Sequence, residues 1–420
     1  MARVASLTSQ ALIGLGVSRE WSLFHTLDNP SAYDTSYDDS FGYSVAISGD
    51  RAIVGVRNED DAGGLSSGKA YIFNTITGAL VHTLDNPNAY STSASDYFGS
   101  SVAIDGNYVI VGADAEDDAG GTSSGKAYIF HTANGTLAHT LDNPNAYSTT
   151  AGDGFGISVG ISGNYAIVGA YNEDDAGGTS SGKAYIFHTA NGALAHTLDN
   201  PNAYDTSADD LFGYSVAISG DRAIVGAFRE DDAGGTNSGK AYIFDVSTGA
   251  LVYTLDNPNA YSTSTSDIFG SSVGISGNYA IVGAYGEDDS GGNTSGKAYI
   301  FSTSTGNLVH TLDNPNPYDT SASDYFGDSV AIDGNYAIVG AYLEDDAGGI
   351  SSGKTYIFNV TSGDLVKTLD NPNAYSTSAT DRFGYSVAIS GNYAIVSADR
   401  EDDDAGIRSD AGKAYIYKLS

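Results

Sequence analysis

A chain of 420 residues with 41% hydrophobic and 11% aromatic side chains can form a packed interior, so its 53 glycines read as turns rather than disorder. Acidic residues outnumber basic ones 52 to 18, for a formal charge of -34, and such a surface repels nucleic acid and anionic lipid, which need basic patches. There is no cysteine, so neither disulfides nor thiolate chemistry enter.

The charge would strain a compact chain unless salt or bound cations screened it, and screening shortens to about 3 Å at 1 M ionic strength. That suits a marine or divalent-rich medium. Residues 1–20 match nothing that follows and read as an arm that docks onto a protein partner; the alternative is a disordered tail. The run Ala11-Leu12-Ile13-Gly14-Leu15-Gly16 after Arg3 lacks a convincing small-residue cleavage site. No apolar run approaches the roughly 18 residues of a membrane span, so membrane insertion is not expected. Working outside a cell, such a protein would leave by lysis or a dedicated exporter.

From residue 21 the chain repeats. Phe41-Gly42-Tyr43-Ser44-Val45-Ala46-Ile47 returns at Phe98, Phe155, Phe212, Phe269, Phe326 and Phe383, always 57 residues on, the signature of a repeat architecture. Alternation in the second unit predicts four strands, Phe98 to Ile104, Tyr108 to Ala113, Lys126 to His131 and Thr136 to Leu141. Asp105-Gly106-Asn107 and Ala133-Asn134-Gly135 are tight hairpin signals at one end of the unit. The two longer connections, from Ala115 to Ser124 and from Asp142 to Asp153, then share the opposite end. Leu23-Phe24-His25-Thr26-Leu27-Asp28 aligns with Leu80-Val81-His82-Thr83-Leu84-Asp85, a fourth strand, whereas the last unit stops after its third, Lys413-Ala414-Tyr415-Ile416-Tyr417. The expected fold is therefore all-β: a seven-bladed β-propeller over residues 21–420, its last blade completed by the N-terminal strand. In each first strand Phe41, Val45 and Ile47 would face one side and Gly42, Ser44 and Ala46 the other, so that large residues of one blade pack on small ones of the next.

Phe-Gly, then Ser-Val-Ala-Ile-Ser-Gly-Asp-Arg-Ala-Ile-Val-Gly, then Gly-Lys-Ala-Tyr-Ile-Phe resembles the FG-GAP repeat, which builds the propellers of integrin α subunits and of many bacterial and phage surface proteins. The units are similar to those in proteins of marine bacteria and their phages. The D-x-D-x-D-G calcium loop of integrin-type repeats is absent, since the first connection is only Ser48-Gly49-Asp50 or its equivalent. Calcium binding therefore does not follow from that motif.

Acidic residues gather elsewhere. Each loop between second and third strands begins with a Glu-Asp-Asp triplet: Glu59, Asp60 and Asp61; Glu116, Asp117 and Asp118; Glu173, Asp174 and Asp175; Glu230, Asp231 and Asp232; Glu287, Asp288 and Asp289; Glu344, Asp345 and Asp346; Glu401, Asp402 and Asp403. The loops between blades add Asp39, Asp96, Asp153, Asp210, Asp267, Asp324 and Asp381, each two residues before Phe-Gly. Carboxylates in Gly-rich loops suit Ca2+, which takes several oxygen ligands. The competing reading has the same side chains bonding loop amides and keeping the surface soluble. Both loop types belong to one end, which becomes an acidic face.

Catalysis finds no support. Gly348 to Thr355 matches a P-loop pattern but runs into the strand Tyr356-Ile357-Phe358, where phosphate binding needs a helix N-terminus. The histidines lie away from the acidic triplets and supply no acid–base pair. The recurring Lys reads as a partner for the acidic loop.

Positions that differ between copies carry the remaining information. Before Phe-Gly stand Ser40, Tyr97, Gly154, Leu211, Ile268, Tyr325 and Arg382, and after the second strand stand Arg57, Asp114, Tyr171, Phe228, Tyr285, Tyr342 and Asp399. Drift at unconstrained loop sites is one reading. A binding face is the other, with Arg57, Tyr97, Tyr171, Phe228, Tyr285, Tyr325, Tyr342 and Arg382 as anchors for a glycan, a host receptor or another protein. The expected role is a non-enzymatic extracellular attachment protein on a virion surface, with a calcium-dependent bacterial cell-surface adhesin as the alternative.

Overall fold

The computed structural model describes residues 19–30, 38–60, 64–87, 94–118, 121–144, 150–176, 178–201, 208–232, 235–258, 265–288, 292–315, 322–345, 349–372, 379–402 and 410–420. Its strands form seven four-stranded antiparallel sheets. Blade 1 comprises Ser44–Ser48, Arg51–Val56, Lys69–Asn74 and Leu80–Asp85, and blade 2 comprises Ser101–Asp105, Tyr108–Ala113, Lys126–His131 and Leu137–Asp142. Blades 3 to 6 follow in the same order. Blade 7 joins Phe383–Ser390, Tyr393–Ala398 and Lys413–Leu419 to Trp21–Asp28 from the start of the chain. That closing strand pairs antiparallel from Trp21 opposite Leu419 to Asp28 opposite Lys413, and a Lys413–Asp28 ion pair sits at its end. Closure of this kind removes the open edge an unclosed stack would leave.

The core lies between blades. Phe98, Val102 and Ile104 of blade 2 pack against Ile53, Ala70, Ile72 and Leu84 of blade 1, and equivalent layers recur around the ring. Large side chains of one first strand thus meet mainly the second and third strands of the preceding blade, with Ala46 at the margin.

In five blades the first ladder starts later than alternation predicts, at Ser101 rather than Phe98 in blade 2. The cause is the Phe-Gly pair. Gly99 has φ +93°, and Ser100 N–H donates back to Tyr97 O at 3.0 Å, so the chain turns there before it extends. The turn brings two backbones together: a Cβ on Gly55 of blade 1 would lie 2.1 Å from Gly99 O, and one on Gly99 would lie 2.3 Å from Lys69 O. At the closing joint Ser397 replaces the second-strand glycine, and its hydroxyl accepts from Ser386 N–H at 3.0 Å.

The serine of each first strand has its own task. Ser44 Oγ accepts from Val102 N–H at 3.1 Å, Ser101 Oγ from Val159, and so on around the ring to Ser386 and Val45, in all seven joints. One N–H on the inward edge of each innermost strand, which has no strand neighbour, is thereby satisfied by the preceding blade.

Candidate functional site

The constant carboxylates do not stand free. All seven triplet glutamates are buried, and the third-strand tyrosine of the same blade donates to each: Tyr71 to Glu59, Tyr128 to Glu116, Tyr185 to Glu173, Tyr242 to Glu230, Tyr299 to Glu287, Tyr356 to Glu344 and Tyr415 to Glu401, at 2.5–2.8 Å. Burial raises Glu116, Glu230, Glu287 and Glu401 to about 8 and Glu173 to about 7. The tyrosine hydrogen bond opposes that shift, while the neighbouring Asp before Phe-Gly reinforces it.

Those aspartates are buried too. Asp39, Asp96, Asp153, Asp210, Asp267, Asp324 and Asp381 each accept from the side-chain amide of an Asn ten residues earlier, Asn29 for Asp39 and Asn86 for Asp96, at 2.8–2.9 Å. The middle aspartates, Asp60, Asp117, Asp174, Asp231, Asp288, Asp345 and Asp402, accept a backbone N–H across their own loop at 2.7–3.3 Å. Of the third aspartates, Asp118 and Asp232 accept from Gly121 and Gly235 N–H, while Asp175 pairs with Lys183 at 3.2 Å; Asp61, Asp289, Asp346 and Asp403 lie outside the described residues. Among the described residues, no three His, Asp or Glu side chains are grouped to hold a metal ion. Each described member of this acidic set accepts from an amide, a hydroxyl or a lysine of the protein itself, and Glu287 Oε1 and Glu401 Oε1 have no partner among the described residues.

The recurring lysine bridges the third and fourth strands, as in Lys69 to Asp85 at 2.5 Å, and also reaches the acidic loop where Lys126 meets Asp118 at 3.6 Å. Lys354, of the P-loop-like string, pairs with Asp370 in the same way. His196 and His310 bond the Ser247 and Thr361 carbonyls of the next blade at the outer rim.

The variable residues converge instead. Arg57 lies over the rings of Tyr43 and Tyr97, 4.4 and 4.3 Å from their centroids, and donates to Tyr43 OH at 2.6 Å. Tyr43 meets Tyr385 at 5.4 Å, Tyr385 meets Tyr342 at 5.5 Å, Tyr342 meets Tyr325 at 5.8 Å, and Tyr325 meets Tyr285 at 5.1 Å. Arg382 lies over Tyr342 and Tyr385 at 5.4 and 5.9 Å. A second arc runs from Tyr171 through Tyr214 to Phe228, with centroids 5.7 and 4.5 Å apart. Together the arcs draw on all seven blades and ring the loop-side mouth of the central channel. Of these rings Phe228 is buried and Tyr214 is the most open, at 37% exposure.

Sequence reasoning named the residue before Phe-Gly and the residue ending the second strand, but missed a third variable position. This is the residue after Phe-Gly: Tyr43, Ser100, Ile157, Tyr214, Ser271, Asp328 and Tyr385. The signal was available, because that one site changes while Gly before it and Ser after it are constant. The assumed strand alternation concealed it by placing the residue inside a blade interface.

Backbone strain marks the same place. Tyr97, Leu211, Ile268, Tyr325 and Arg382 all have φ between +57° and +62°, a region costly for bulky and above all β-branched side chains. Only Gly154 is suited to it, and the space its missing side chain leaves is filled by Tyr171, whose Cε1 would lie 2.6 Å from a Cβ there.

This is a seven-bladed propeller with constant loop anchors and a variable aromatic mouth. The FG-GAP repeat family matches residues 31–73, 89–130, 146–187, 202–244, 260–301, 316–358 and 374–417. The chain belongs to that family, whose propellers are generally non-catalytic binding folds and commonly occur in extracellular or surface proteins. No curated protein matches it. Among the described residues no helix is long and apolar enough to cross a membrane.

Proposed function

We propose that the protein is a non-enzymatic attachment module working outside the cell, on a phage virion surface, and that it holds a glycan or protein partner at the aromatic mouth of its acidic face. One observation carries the reading: the seven copies differ in their hairpins and connecting loops too, but at three positions the differing side chains meet one another around the channel. Large, semi-rigid Tyr side chains and stacked Arg are the residue types that dominate binding energy at interfaces. The assigned role of residues 1–20 as the docking arm belongs to the same proposal; residues 1–18 lie outside the described residues.

The test is retention of purified protein on intact bacteria carrying the gene, with the original chain compared with Tyr214→Ser/Tyr385→Ser. Loss of retention in the variant supports the reading, and equal retention rejects it. Immunogold labelling of particles released from that bacterium separates a virion component from the competing assignment, a calcium-dependent cell-surface adhesin.

A further inference from the structure

The chemistry left unsatisfied at the mouth narrows the ligand, on the premise that the mouth is the binding site. Among the described residues, four buried polar atoms there have no hydrogen-bond partner: Arg57 Nε, Asp114 Oδ1, Ser271 Oγ and Asp399 Oδ1. Asp399 is only 3% exposed and Ser271 only 8%. Buried groups are almost always paired, and each orphan costs about 1–3 kcal/mol. Two carboxylate oxygens call for donors, the guanidinium nitrogen calls for an acceptor, and the serine hydroxyl takes either.

A compact anion would answer the guanidiniums but meet Asp114, Asp328 and Asp399. A compact cation would answer the carboxylates but meet Arg57, which already occupies the faces of Tyr43 and Tyr97, and Arg382. Either charge leaves part of the set worse off than before. A neutral polyol offers O–H donors and acceptors together, and a pyranose ring adds an apolar C–H face that matches the electron-rich face of a tyrosine. Burial raises Asp328 and Asp399 to about 7, so near neutral pH each is partly protonated and also donates, which again suits an uncharged partner.

We propose that the mouth binds an uncharged sugar ring, stacked on Tyr214 or Tyr385 and hydrogen-bonded to Asp399, Asp114 and Arg57. In the unliganded arrangement the orphan atoms are covered by neighbouring side chains, so binding includes a rotamer change of a half-buried tyrosine.

The experiment is a printed glycan array carrying neutral, sialylated and sulfated oligosaccharides, probed with the full chain and with Tyr214→Ala, Tyr385→Ala and Asp399→Asn, each shown by melting to be folded. The expected result is binding to neutral glycans alone, weakened about tenfold or more in Asp399→Asn and in whichever of Tyr214→Ala and Tyr385→Ala removes the stacking ring; undiminished binding in both tyrosine variants overturns the stacking. Binding confined to sialylated or sulfated glycans, or no glycan binding at all, overturns the sugar assignment. Retention on intact cells is read in parallel: if it is lost in the mouth variants while the array stays blank, the mouth still binds, but a protein. If retention is unchanged as well, the attachment reading falls with the sugar.

Discussion

The hydroxyl of Tyr128 lies 2.6 and 2.8 Å from the two carboxylate oxygens of Glu116, deep in blade 2, and every other blade repeats the tyrosine–glutamate pair. The pair fixes the acidic loop to the third strand of its own blade. The adjacent Asn86–Asp96 contact fixes the connection arriving from blade 1. What looks in sequence like a band of surface charge is, in good part, a set of buried pins.

Those pins give an unusual pH dependence. Burial raises Glu116, Glu173, Glu230, Glu287 and Glu401 from an ordinary 4.5 to about 7–8, so between those limits the folded chain binds more protons than the unfolded one. Stability is then greatest below the unfolded value and falls as pH rises through the folded one. Thermal melting should show a higher Tm at pH 5 than at pH 8. A Tm that instead rises steadily over that range rules the pins out as a controlling term.

Removing a pin donor should destabilise. Tyr128→Phe keeps the ring packing but takes the hydroxyl from a buried carboxyl group, at a cost of about 1–3 kcal/mol. Glu116→Gln/Tyr128→Phe should cost less than the sum of the single changes, because the two side chains share one interaction. Urea unfolding of the four proteins measures the coupling, and strict additivity would contradict it.

Backbone strain and backbone contact should respond in opposite directions to glycine chemistry. Ile268→Gly relieves a β-branched residue at φ +61° and should stabilise by about 1 kcal/mol. Gly99→Ala places a methyl 2.3 Å from Lys69 O at φ +93° and should destabilise by more than about 1 kcal/mol. Both are read as shifts in unfolding midpoint.

Calcium should matter little. The described carboxylates of the acidic triplets, and the aspartates before Phe-Gly, each already accept from at least one amide, hydroxyl or lysine, so melting in calcium and in chelator at equal ionic strength should give the same Tm. A calcium-specific rise of several degrees would show a site that these contacts do not reveal.

The fold was legible because a 57-residue period leaves few ways to place Phe98, Lys126 and Leu141, and because the fourth-strand pattern at Leu23 announced the closing strand. The pins were not. Glu116 and Tyr128 stand twelve residues apart, and nothing in alternation says that a loop carboxylate folds back under a strand tyrosine. The mouth was half legible: Tyr97 and Arg57 were picked out by variation, whereas Tyr43, Tyr214 and Tyr385 were hidden by a turn at Phe-Gly that the strand pattern does not encode. The tyrosines of the Asn-Pro-Asn-Ala-Tyr segments, such as Tyr90, lie outside the described residues.

The division between constant pins and variable mouth is tested most directly by measuring unfolding and retention on intact cells side by side for two double variants, Tyr128→Phe/Tyr185→Phe and Tyr214→Ser/Tyr385→Ser. The pin variant should lose several degrees of Tm and, below its melting range, keep its retention. The mouth variant should keep its Tm and lose retention. A mouth variant that binds as the original chain does, or a folded pin variant that does not bind, would contradict the account.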